Sequence, residues 1–300
     1  MAAAVPIAEL APQPRAEPRS VGSILLHNRN FMFGGLLFLT LVLIALVGGQ
    51  LLGPGPLRSG AFRPKLAPGI DGALLGTTTL GQSVFAQILQ AIPGSCLVGL
   101  LAALIGTSLG ALIGLTSGYF GGKVDAVLRV LVDVFLSVPS LLFLILIASL
   151  LRGVGVPLLA VIIGLFAWAW PARAVRSQVL TLKERPFVQV ALLSGMSGLE
   201  VLWSELLPLL LPWLGANFVN AFIAAVLAES GLSILGLGPQ RDMTLGMMIY
   251  WSLNYSAILQ NMWWWWVPPV LLLIVFFMAL YLVHIGLDEV SNPRLREAAG

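Results

Sequence analysis

Charge is what this 300-residue chain has least of: 16 lysines and arginines stand beside 13 aspartates and glutamates, and the four types make up 10% of the sequence. A soluble domain carries roughly 25%, so that class is excluded at the outset. Cysteine occurs once, as Cys96 in an apolar run. One thiol excludes an internal disulfide, a CxxC pair and a cysteine metal cluster, and its reading is packing. The two histidines, His27 and His284, form no HExxH, which leaves a zinc site without its ligands. No nucleophile and base fall in a recognisable pattern, and there is no phosphate-binding loop: Gly122 and Lys123 mimic its end, but Val124 follows and Ser117 takes the first glycine's place. ATP hydrolysis is not expected here. The net charge of +3 and pI near 9.4 come from scattered basic residues, with no basic stripe interleaved with aromatics, so no nucleic-acid partner is expected.

What the chain has is apolar length. Hydrophobic residues make up 58% of it and the mean hydropathy is +0.96, the signature of an integral membrane protein. Residues 1–30 read as a cytosolic N-terminal tail rich in Ala and Pro, with no apolar core long enough for a signal peptide. The uncharged run 31–52 meets the roughly 20 residues that a spanning helix needs. Residues 53–92, with Pro54, Pro56, Pro64 and Pro68 and the cations Arg58, Arg63 and Lys65, read as an external loop. A core of five further spans covers 93–287: Pro93 to Gly118, Val134 to Leu151 with a kink at Pro139, Pro157 to Ala172, Leu209 to Ala228, and Trp263 to Leu287. Gly106, Gly110, Gly114 and Gly118 recur every fourth residue, the spacing that lets helix backbones approach, and predict a packing seam. Residues 239–262 read as an interfacial or reentrant segment, and 288–300 as a cytosolic C-terminal tail.

Charge sets the orientation. With both termini inside, the cytosolic cations are residues 15, 19, 29, 123, 129, 173, 176, 183, 185, 294 and 296, which is eleven; positions 58, 63, 65, 152 and 241 lie outside, which is five. The excess places the segment 187–208 in the cytosol of a plasma-membrane protein with six spans. That segment carries its own punctuation. Ser197 and Glu200 have the spacing of a capping box, so a helix restarts at Gly198, and Gly195 just before it suits a backbone of positive φ. Leu199, Leu202, Trp203 and Leu206 then fall on one helical stripe, and Pro208 marks the next boundary. A helix, a sharp turn and a short amphipathic helix make an elbow whose stripe needs a partner.

The elbow resembles the cytosolic coupling loop of ABC importer permeases. That pattern is Glu-Ala-Ala, three residues, Gly, then about nine residues to a His or similar residue and a Pro. Gln189, Val190, Ala191, Gly195, Glu205 and Pro208 stand at those places. Three further stretches resemble the dipeptide, oligopeptide and nickel branch of the family: Leu75 to Leu89, where Gly76, Thr77, Gly81 and Val84 match and Thr78, Gln82, Ser83 and Gln87 replace charged residues; Tyr119 to Asp133; and Glu229 to Gly238, ESGLSILGLG. The end of the chain resembles the family's Asp-Pro-Arg-Leu, with Asn292 in the aspartate's place.

The resemblance covers about residues 21–296. It implies an all-α membrane protein with the six-helix fold of a type I ABC importer permease and a coupling helix, working by alternating access without being an enzyme. It further implies a second similar permease subunit, two cytosolic ATPase subunits or domains, and an external substrate-binding protein; membrane lipid surrounds the whole. No cofactor is expected on this chain, since ATP with magnesium would be used by the partners. The residues expected to couple to the ATPases are Phe187, Ala191, Gly195, Ser197, Leu199, Glu200, Leu202, Trp203, Glu205, Leu206 and Pro208.

Two further groups are candidates for the pathway or an external gate. Glu229 is an acid after a long uncharged run, expected to hold Ser233, Gly236, Gly238 and the rest of LSILGLG at the external side. Trp263, Trp264, Trp265 and Trp266 read first as an aromatic belt. At roughly 100° per residue they cover nearly the whole helix circumference, so at least one should face protein or the pathway. Peptides are the first substrate expectation, with oligosaccharides or nickel complexes as alternatives; a membrane-embedded lipid-modifying enzyme is the alternative from another class, and a purely structural scaffold a third.

Overall fold

A computed structural model describes residues 25–151 and 153–291, and these are almost entirely helical. The expectations for residues 1–24, Arg152 and Asn292, Arg294 and Arg296 lie outside the described residues. Helix α1, Arg29–Leu52, opens with Asn28, whose side chain accepts a hydrogen bond from the Phe31 amide. Asn28 and Asn30 also donate to Glu289, so the first helix starts beside the last described turns of the last one.

Helix α2, Val84–Phe120, is 37 residues long, capped by Ser83, and contains Pro93 in its body. The expected start of this span at Pro93, and the external loop reaching to 92, are therefore corrected: the Ser83 cap begins the helix nine residues earlier. At 1.5 Å per residue it runs about 55 Å, well past a hydrocarbon layer of about 30 Å. Its glycine ladder is the predicted seam. A Cβ on Gly110 would lie 2.5 Å from Pro171 Cβ and 2.7 Å from Trp168 O, and one on Gly114 2.5 Å from Ala172 O. Lipid supplies no hydrophobic drive between helices, so such close van der Waals contact is what associates them.

Helices α3, Gly122–Ser137, and α4, Ser140–Leu150, meet at 74° across Val138 and Pro139. Helices α5, Val156–Phe166, and α6, Ala169–Leu182, meet at 44°. Among the described residues four helices are long and apolar enough to cross a membrane, and counting each bent pair as one span brings the number to six. After α7, Pro186–Leu193, comes α8, a continuous run Gly198–Ile234. The expected boundary at Pro208 does not end the helix: the winding changes there, from a π-helical stretch ending at Leu206 to an α-helical one beginning at Leu207, and the run continues. Helix α9, Leu245–Asn254, occupies the segment expected to be interfacial or reentrant, with Leu245, Met247, Met248 and Ser252 buried against its neighbours. Helix α10, Trp263–Ser291, closes the bundle.

Connectivity gives the bundle two ends. At one, the Val156 amide donates to Asp242 Oδ2 at 2.7 Å, tying the α4–α5 turn to the segment before α9, and residues 53–83 fold over the same end. At the other lies the elbow. His284 Nδ1 lies 2.9 Å from Ala216 O; the described part of α10 runs about two turns further, to Ser291, while α8 continues back to Gly198, roughly 16 Å beyond Ser291 by helical rise. The ends of α2 and α6 accompany it: Lys183 Nζ donates to Gly118 O, and Tyr119 packs against Gly198. These ends form a stalk that carries the elbow clear of the described residues of α1 and α10.

Candidate functional site

The elbow starts from Arg185 in extended conformation, followed by Pro186 at the first helical position of α7. Val188 and Ala191 of this eight-residue helix are buried, while Phe187, Val190, Leu192 and Leu193 are exposed. Leu193 is 88% exposed. The helix ends through the Ser194 amide on Val190 O, the Gly195 amide on Leu192 O and the Met196 amide on Ala191 O, with Gly195 at φ +91°. A side chain there would meet no atom within 4 Å, so the backbone conformation alone is what calls for glycine. Ser197 and Glu200 form the predicted capping box, the Ser197 amide donating to Glu200 Oε2 at 2.7 Å and the Glu200 amide to Ser197 Oγ at 3.3 Å.

Beyond the cap the expected docking stripe divides. Leu199 and Trp203 are exposed, but Leu202 and Leu206 are only 4% and 0% exposed, packed with Leu115, Val175, Val179, Val188, Val201 and Leu210. The reading of Leu202 and Leu206 as outward anchors is thus corrected. Period identifies which residues share a face, not what that face meets; here it meets the stalk. Residues 201–206 are wound as a π-helix, with the Leu207 amide reaching back to Leu202 O. Pro208 supplies the cause, since it has no N–H to bond Ser204 O and its ring crowds that carbonyl. Glu205 is half-buried and Pro208 exposed. The free apolar tip consists of Phe187, Val190, Leu192 and Leu193 on α7, with Leu199 and Trp203 beside it.

Deeper in the bundle, α3, α4, α5, α6 and α8 line a half-open cavity of about 510 Å³. Its walls include Phe135, Phe166 and Trp170, and from α8 Asn217, Asn220, Ala221, Ala224, Ala225 and Ala228. Sequence reasoning missed it, because five helices separated in sequence make it. The available signal was the pair of carboxamides in an otherwise apolar run from Leu209 to Ala228.

None of the residues expected at a gate lines this cavity. Glu229 is fully buried and accepts hydrogen bonds from Ser233 Oγ and Thr244 Oγ1, both 2.6 Å from Oε1. Thr244 is also the N-cap of α9, accepting from the Met247 amide. Glu229 therefore holds the start of α9 as well as its own LSILGLG segment, a partner that the motif alone did not show. Gly238 belongs to the same knot, since a Cβ there would fall 2.0 Å from Ser233 Oγ. Gly236, at φ +79°, turns the chain out of α8.

Of the tryptophans, Trp265 is buried and stacks on Tyr255 at 5.8 Å between ring centroids. Trp264 Nε1 donates to Thr77 O at 3.1 Å, fastening the 53–83 loop. Trp266 packs against the same core and Trp263 is exposed. Two rings at least face protein, as the circumference argument required. Among the described residues no cluster of three or more His, Cys, Asp or Glu is placed to hold a metal ion.

Comparison with known proteins gives this arrangement its context. Residues 110–297 match the profile of the binding-protein-dependent transport system inner membrane component. The oligopeptide transport system permease protein OppC of Mycobacterium tuberculosis is 34% identical over 190 residues, 63% of this chain and 65% of that protein, so the match spans less than two thirds of this relative's length. The dipeptide transport system permease protein DppC of Bacillus subtilis is 30% identical over 270 residues, 90% of this chain and 83% of that one. A putative peptide transport system permease protein of Brucella abortus is 30% identical over 275 residues, covering 91% and 90%. Among solved structures, one of the inward-facing MetNI methionine ABC transporter superposes with a TM-score of 0.50 at 19% identity, over 68% of this chain and 94% of that one. That likeness is one of fold. With a profile match over more than half of its length, the chain belongs to the binding-protein-dependent transport system inner membrane component family.

Proposed function

We propose that this protein is the permease subunit of an ATP-driven importer and forms half of a pathway for peptides, opened alternately to the two sides of the membrane. The observation that carries the reading is the elbow: an exposed apolar tip on a short helix, set by a left-handed glycine turn and braced from behind by a buried cluster. Such a tip is built to seat in another protein, because exposed leucine and tryptophan in water gain free energy when covered. The peptide permeases among its relatives support the substrate class. The partners are two ATPase subunits at the elbow, a second permease subunit against the bundle, and an external substrate-binding protein at the opposite end. The excess of cations near the elbow supports a cytosolic position for it and for both termini. ATP-driven closure of the ATPases pushes α7, the stalk transmits the push, and the cavity changes the side to which it opens. The tryptophan run lends no support to an oligosaccharide pathway, because its buried members are committed to packing.

The test is reconstitution of the four-part complex in proteoliposomes, comparing the unaltered chain with Leu193→Asp and Gly195→Val. Leu193→Asp is expected to weaken capture of the ATPases at least tenfold, since a charge would be buried in the seat. Gly195→Val is expected to keep ATP hydrolysis but lose peptide uptake, with strain of about 1–3 kcal/mol in the turn. Full uptake by both variants would defeat the proposal.

A further inference from the structure

The cavity between α3, α4, α5, α6 and α8 is lined without a single ionisable side chain. The nearest pair, Asp133 and Arg173, sits one helical turn towards the elbow from the lining residues Leu136 and Trp170, and the two neutralise each other through a 2.5 Å contact. Arg176 is similarly occupied, with both carboxylate oxygens of Asp125. No ionisable side chain of these helices lines the cavity, and the one further cation of α3 near it, Arg129, lies with Asp133, Arg173 and Arg176 in the adjoining pocket. What polarity it has comes mainly from α8, where Asn217, Asn220, Ala221, Ala224, Ala225 and Ala228 share one helical face. The alanines leave room. Asn217 is buried and spends its Nδ2 on Trp213 O at 2.9 Å, which fixes it in the wall. Asn220 is exposed to the space, and its carboxamide has no hydrogen-bond partner among the described residues. Trp170 of α6, 52% exposed, lines the same space with a large ring.

We propose that Asn220 is a specificity-determining contact of the transported solute, which it meets with a carboxamide beside the Trp170 ring, and that this half of the pathway favours solute groups that are uncharged and able to hydrogen-bond. This rests on the transport reading above. The chemistry is one of exclusion as much as attraction. A carboxamide offers both a donor and an acceptor, so it satisfies an amide or hydroxyl of a passing solute. It offers no counter-charge, and an ion carried against these apolar walls without one meets a desolvation cost. The volume of about 510 Å³ is within the range of small-molecule sites, about 300–1,000 Å³.

The experiment uses the complete complex in proteoliposomes and three tripeptides that differ only in a central Gln, Lys or Glu, with their affinities for the external binding protein measured separately. Asn220→Asp is expected to raise the ratio of Lys-peptide to Glu-peptide uptake about tenfold, by placing a carboxylate where the solute passes. Asn220→Leu is expected to lower uptake of the Gln-peptide severalfold. As a binding readout, Asn220→Cys in a Cys96→Ser background is treated with a hydrophilic thiol reagent, and saturating Gln-peptide is expected to slow its labelling. Normal uptake with an unchanged Lys-to-Glu ratio, together with labelling that the peptide does not slow, overturns the inference and leaves the transport reading standing. Failure of the unaltered complex to take up any of the three peptides with ATP overturns the transport reading, and this inference with it.

Discussion

A buried carboxylate at the end of an apolar helix is expensive unless its oxygens are satisfied, and Glu229 shows how this chain meets that requirement. Two hydroxyls donate to one of its oxygens, from Ser233 on its own helix and from Thr244 across the gap to α9. Glutamine keeps a carbonyl oxygen in that place, so Glu229→Gln is expected to hold the knot. Glu229→Leu removes the acceptor and strands both hydroxyls, at about 1–3 kcal/mol for each unsatisfied group. Hydrogen exchange at residues 245–254 is the measurement: faster exchange in the leucine variant, with the glutamine variant close to the unaltered chain, is the expected order. Equal protection in all three would remove Glu229 from the anchoring of α9. The acid was conspicuous in the sequence, whereas Thr244, fifteen residues on, had nothing to mark it as its partner.

At the scale of elements, helix contact in this bundle depends on missing side chains. Gly110 faces Pro171 and Trp168 at distances a Cβ cannot share, while Gly35 on α1 has nothing within 4 Å of where its Cβ would be. Gly110→Ile is therefore expected to pry α2 from α6 and lower the melting temperature of the purified protein markedly. Gly35→Ala is expected to leave it unchanged or raise it, since alanine in a helix is favoured by about 0.5–1 kcal/mol over glycine. A melting temperature unmoved by Gly110→Ile would show that the seam does not hold these helices. Local and periodic features of this kind were legible in advance: the four-residue glycine repeat, the Ser197 and Glu200 cap, the kink at Pro139. The π-helical turn at 201–206 was not, because it arises from a conflict between Pro208 and the helix before it. Nor was the inward turn of Leu202 and Leu206, which depends on the ends of α2 and α6, more than twenty residues distant in the chain.

For the whole molecule, the decisive feature is that one uninterrupted helix, Gly198–Ile234, joins the elbow to the Glu229 knot and supplies one wall of the cavity on the way. The sequence showed its two ends as separate motifs and broke the helix between them at Pro208, so this unity was invisible there. It has a thermodynamic consequence. If seating an ATPase at one end of α8 changes how readily the external binding protein docks at the other, docking must change ATPase affinity by the same factor, because the two events close a single cycle. Titrating the ATPases onto the chain with and without loaded binding protein, and then the binding protein with and without ATPases, is expected to return two equal ratios different from one. Ratios of one in both directions would mean that the helix is a wall and not a conductor.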